Sequence, residues 1–100
     1  MFCQIKRFVV KEGYSQQIVE RFSNRGGLVE QQPGFIDRDI LVKKVRRGDE
    51  EVLVMMRWES EEDWKNWEKS PEHIAGHRAK QGNAKPEYVI ESSQDVYLGV

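Results

Sequence analysis

The sequence predicts an α+β fold built on one antiparallel sheet, and three observations carry that prediction. Four short runs are rich in Val, Ile, Phe and Tyr, the composition of strands. Two stretches with helical spacing follow the first and the third of these runs. Gly13, Pro33-Gly34, Arg46-Arg47-Gly48-Asp49 and the pair Gly82 and Pro86 punctuate them as turns. The order strand, helix, strand, strand, helix, strand is the split βαβ, or ferredoxin-like βαββαβ, arrangement, with both helices on one face of the sheet.

Residues 2 to 11 read as the first strand, ended by Gly13, with Lys6 and Phe8 facing one side and Arg7 and Val9 the other. A helix follows, carrying Ile18 and Phe22 four apart with Val19 beside them; Ser15 is its candidate cap and Gly26-Gly27 its stop. Phe35 to Val45 alternates as a strand with Ile36, Ile40 and Val42 on one face, and Val52 to Trp58 returns antiparallel to it. Ser60 and Asp63 resemble a capping box opening a helix that carries Trp64 and Trp67. Ser70-Pro71-Glu72 starts a second helical segment, since Pro is favoured at the first helical position behind a Ser cap, and this segment carries Ile74 and His77. Tyr88 to Tyr97 forms the last strand.

One hundred residues are read as a single domain, 1–100, and a chain this short buries only about 60 to 65% of its unfolded surface. The sheet face away from the helices needs a cover, so a homodimer is expected. The 16 Lys and Arg balance 17 Asp and Glu, and a net charge of -1 provides no field to attract nucleic acid or an anionic membrane. The N-terminal run becomes charged at Lys6-Arg7 before any secretory apolar region develops, no stretch has the length and apolarity of a membrane span, and the single Cys3 has no disulfide partner. The expected location is cytoplasmic.

The residues that could carry chemistry are few. His73 and His77 are one helical turn apart and could chelate a divalent metal, but a catalytic zinc site takes three protein ligands and no third is evident. Trp58, Trp64 and Trp67 fall within ten residues; aromatic stripes of this kind are ordinarily core, and a flat aromatic ligand is the other reading. Met55 and Met56 suit core packing or pocket lining, and nothing places a base beside Cys3. No Ser-His-Asp spacing, phosphate-cradling glycine loop or paired-carboxylate pattern stands out. On the residues alone, whether the chain is an enzyme stays open.

Trp58-Glu59-Ser60, then Trp67, Ser70 and His77, have the spacing of heme-degrading monooxygenases of the IsdG-like group in the antibiotic biosynthesis monooxygenase (ABM) superfamily, which this chain resembles over nearly its whole length. Glu20-Arg21-Phe22 and Pro33-Gly34-Phe35 support the likeness. The resemblance implies a dimeric α+β barrel of two ferredoxin-like subunits, each binding one heme. It implies His77 as the axial iron ligand and Trp67 as the ring that packs on the porphyrin and bends it. Heme would be both cofactor and substrate, opened with molecular oxygen to a linear tetrapyrrole and free iron, with electrons from an external reductant or an unidentified reductase. Lys6 stands where the family carries a distal asparagine, replacing one hydrogen-bond donor with a longer, charged one. Arg21, Arg25, Arg78 and Lys80 are candidates to pair with propionates, and Gly76 would let the backbone approach a flat ligand. Two other functions share these features: a heme carrier that does not degrade its ligand, and a cofactorless oxygenase acting on an aromatic polyketide or quinol, in which His77 would be a base or a bystander.

Overall fold

Alternating residues at the start of the chain settle into a central strand, because both of its edges find partners. A computed structural model describes residues 1–23, 28–71, 73–74 and 86–100. Strand β1 (Phe2–Val10) pairs antiparallel with β3 (Glu50–Trp58) on one side and β4 (Val89–Leu98) on the other; β2 (Phe35–Val42) pairs with the outer edge of β3. The sheet order is β2-β3-β1-β4. Helices α1 (Ser15–Ser23) and α2 (Glu61–Glu68) complete the ferredoxin-like α+β order expected, and a short 3-10 turn covers Leu28–Gln31. No helix among the described residues is long and apolar enough to cross a membrane.

Register decides which side chains meet the helices. Phe2 lies opposite Trp58, Gln4 opposite Met56, Lys6 opposite Val54 and Phe8 opposite Val52, so these residues share one face. On that face Val10, Val52 and Val54 are fully buried under Ile18 of α1, with Val89 closing the cluster and Phe8, Val19, Phe22 and Ile40 around it. Lys6 and Phe8 therefore do face opposite to Arg7 and Val9. Met56 is in this core and Met55 is on the other face.

Among the described residues no helix covers that other face. Ile5, Leu53 and Met55 lie across its middle, half-buried. Two arginines pair with four acids there: Arg7 reaches Glu51 at 2.7 Å and Glu91 at 3.6 Å, and Arg57 reaches Asp37 at 2.8 Å and Asp39 at 2.6 Å.

Three local expectations are corrected. Ser15 is the first helical residue of α1 rather than its cap; its N–H donates to Oε1 of Glu50 at 2.9 Å, so the orphan helix donor is satisfied from β3. Strand β2 ends at Val42, three residues early, because the chain turns through residues 43–49 with Gly48 at φ +88°. Ile36 does not share a face with Ile40: the register shifts between Phe35 and Asp37, and the extra residue turns Phe35 inward against Trp58. Their rings meet edge to face, centroids 5.3 Å apart, and Ile36 is left 48% exposed.

Helix α2 is fastened at its start. Ser60 is the N-cap, its Oγ accepting from Asp63 N at 3.2 Å while its hydroxyl donates to Asp63 Oδ2 at 2.9 Å. Gly34, at φ +84°, accepts from Glu59 N at 2.7 Å, and any Cβ there would run into the Asp63 side chain. Gly34 is thus required twice, by backbone conformation and by space. Trp64 in the first turn packs on Phe2 with centroids 5.1 Å apart.

Two outcomes follow. Gly34→Ala lowers thermal stability by at least about 1 kcal/mol, and adding Asp63→Ala recovers the steric part but not the backbone strain, as a double-mutant cycle in thermal unfolding would read. Hydrogen bonds from Ser15 hold the Glu50 carboxyl below the usual 4.5. A lowered folded value means stability that is present above the ordinary carboxylate pKa and lost as pH falls through the lowered one. Glu50→Gln accordingly destabilises at neutral pH and flattens the acid side of the stability curve below about pH 4.5, measured by urea unfolding across pH.

Candidate functional site

The helix-facing side of the sheet gathers the groups that can meet a ligand. Lys6 sits in mid-strand in the same row as Phe8 and Val54, and its Nζ lies 5.6 Å from the ring centroid of Phe22 on α1. A cation over an aromatic face loses part of its water in exchange for the ring's negative quadrupole. Arg21, one residue earlier, places its guanidinium carbon 5.2 Å from the same ring. Phe22 therefore carries two cations, and it also packs against Phe8 at 5.4 Å between centroids.

Phe22 faces a second space as well. A cavity of about 600 Å³ lies between α1, the 3-10 turn and β2, walled by Val19, Phe22, Phe35 and Ile40. The ion pair of Arg38 with Glu30 borders it, the Arg38 side chain being largely buried. Lys6 and Trp67 are not among the residues lining this cavity.

The three tryptophans separate by role. Trp58 is fully buried, as aromatic stripes ordinarily are, and Trp64 is half-buried and packs on Phe2. Their indole Nε1 atoms are buried with no acceptor among the described residues. Trp67, one turn beyond Trp64, is also half-buried and packs edge to face on His73, centroids 4.9 Å apart and planes at 64°. His73 Nε2 lies 2.8 Å from Glu68 Oε2. Ser70 caps the next helical segment as the sequence predicts, its Oγ accepting from His73 N at 3.2 Å.

Lys6 and Trp67 thus lie over the same sheet face, each with its own aromatic neighbour. His77, Gly76, Arg25, Arg78 and Lys80 lie outside the described residues. Among the described residues no three His, Cys, Asp or Glu side chains gather as a metal site. Cys3 is buried on the face away from the helices; burial pushes its thiol pKa up, Arg57 opposing and Asp37 adding to the shift. A thiol held protonated is a poor nucleophile.

Sequence reasoning missed two features here. The cavity is bordered by the ion pair of Glu30, in the 3-10 turn, with Arg38, eight residues on in β2. The Trp67–His73–Glu68 group crosses a helix break, so helical spacing does not reveal it.

Comparison with known proteins agrees with this architecture. The family model for antibiotic biosynthesis monooxygenases matches residues 1–79. The heme-degrading monooxygenase HmoA of Bacillus subtilis is 54% identical over 97 residues, 97% of this chain and 89% of that protein. A Bacillus cereus protein assigned to the antibiotic biosynthesis monooxygenases superposes with a TM-score of 0.84 at 54% identity, covering 97% of this chain and 88% of that one. The heme degrader MhuD of Mycobacterium tuberculosis, solved with two hemes in its active site, shares the fold, with a TM-score of 0.69 at 24% identity over 100% of this chain and 96% of that one. Taken with the sheet order and the helix-facing row of β1, these matches show that the chain belongs to the antibiotic biosynthesis monooxygenase family.

Proposed function

We propose that this protein is a heme-degrading monooxygenase that holds heme on the helix-facing side of its sheet, with His77 as the axial iron ligand and Trp67 against the porphyrin. The observation that carries the reading is the 54% identity to the heme-degrading HmoA across 97% of the chain, a span that includes both residues. The described residues suit such a ligand: Trp67 is half-buried and offers a rigid aromatic face, and Phe22 offers another beneath Lys6.

Each residue has a distinct task. Trp67 supports the flat ring and limits how it can lie. His77, as a neutral imidazole, supplies a nitrogen lone pair to iron. Lys6 is a hydrogen-bond donor on the helix-facing row of β1, and Phe22 restricts the reach of its ammonium. Bound heme, with molecular oxygen and electrons from an external reductant, supplies the oxidising chemistry and is itself the ring that opens, yielding iron and a linear tetrapyrrole.

The protein works as a homodimer in the cytoplasm under this reading. Ile5, Leu53 and Met55 lie on a sheet face that no helix among the described residues covers, between ion pairs centred on Arg7 and Arg57. A second copy would cover them. Light scattering behind size exclusion is expected to give twice the chain mass, and a monomer mass would remove this part of the reading.

Heme titration followed by reductant tests the rest. The expected result is a shifted Soret band on binding, then its loss with iron release when ascorbate or a reductase is added with catalase present. A stable Soret band under reduction would make the protein a carrier, and no Soret shift would favour a cofactorless oxygenase. His77→Ala should abolish the axial-ligand spectrum; an unchanged spectrum removes His77 from the site.

A further inference from the structure

The end of α2 carries a device that the reaction alone does not call for. Helix α2 stops at Glu68, where Lys69 N donates to Lys65 O and Ser70 N to Trp67 O, both at 3.0 Å. The chain restarts as helix at Pro71, with Ser70 O accepting from Ile74 N at 3.1 Å and Ser70 Oγ accepting from His73 N. Only Lys69 and Ser70 separate the two segments. His73 sits at the third position of the new segment and folds back onto the last turn of the old one.

Two contacts fix it there. The imidazole and the Trp67 indole meet edge to face at 4.9 Å between centroids. On its other side Nε2 lies 2.8 Å from Glu68 Oε2, the distance of an N–H···O bond, which puts a proton on Nε2. The side chains of His73 and Glu68 are 16% and 30% exposed, so the pair is partly withdrawn from water. A half-buried indole on an exposed helix end would otherwise sample several rotamers.

We propose that His73 is a positioning residue for Trp67: anchored by Glu68, it buttresses the edge of the indole and holds it in one orientation for a flat ligand. The clamp exists without any ligand; its use in catalysis rests on the reading that Trp67 packs against heme. A ring fixed before binding loses less freedom when a ligand arrives, and it can press on the macrocycle instead of yielding to it.

The test uses the full chain labelled with 15N-tryptophan, the three indole signals being assigned by Trp→Phe replacement. In the heme-free wild type the Trp67 indole N–H is expected to be as rigid as that of Trp64, with an order parameter of about 0.85, and His73→Ala is expected to drop it below about 0.6. Glu68→Ala, which leaves the imidazole but frees it, should move the same way if His73→Ala disturbs folding. His73→Phe, which keeps a ring edge but has no N–H to bond Glu68, should loosen the indole as Glu68→Ala does. With heme, His73→Ala should weaken the out-of-plane porphyrin bands in resonance Raman spectra and slow Soret loss about tenfold, while binding changes by less.

A rigid Trp67 indole in both His73→Ala and Glu68→Ala overturns the clamp. A loosened indole with unchanged porphyrin bands and unchanged Soret loss overturns its catalytic use. If the wild type never bleaches heme while the indole still loosens in the variants, the clamp stands and the heme-degrading reading falls.

Discussion

The pairing of β1 with β3 is the constraint on which the other placements depend. Strand side chains alternate, so one register assigns every residue of β1 to the helices or to the opposite face, and a slip of one residue would exchange the two sets. In the observed register Val52, Val54, Met56 and Trp58 stand in one row beside Phe2, Gln4, Lys6 and Phe8. Seven of those eight make an interior or an aromatic wall. Lys6 is the one formal charge in the two rows, and it sits in mid-strand with its amine over Phe22. A charge is costly to keep there unless it is partnered, and the ring beneath it is one such partner.

The same register builds the platform for α2. Phe2 supports Trp64, Trp58 supports Phe35, and Gly34 at the head of β2 admits the Asp63 side chain that closes the cap at Ser60. Packing fixes the first turn of the helix, so the last turn has a set direction. Trp67 is then placed by the sheet indirectly and by His73 directly. Rigid elements carrying a half-buried ring at their margin are what a preorganised ligand wall requires.

Local patterns were readable where their partners are local. Ser60 with Asp63 and Ser70 with Pro71 announced two helix starts, and both caps form. Alternation in β1 and β3 placed Lys6, Phe8, Arg7 and Val9 on the correct faces. The cap of α1 was not readable, because its acceptor, Glu50, is 35 residues away. Ile36 was misplaced because a bulge changes parity without any glycine or proline to mark it. Periodicity could not separate Trp58, which is fully buried, from Trp64 and Trp67, which are half-buried. Helical spacing set His73 one turn from His77, while the contact that His73 makes with Glu68 spans the helix break.

The position of the porphyrin is the most direct measurement of the central proposal. A crystal structure of the heme-loaded protein is expected to show the macrocycle on the helix-facing side, in contact with Trp67, with a nitrogen of His77 on iron. Heme seated on the opposite face beside Arg7 and Arg57, or iron bound without His77, would contradict it.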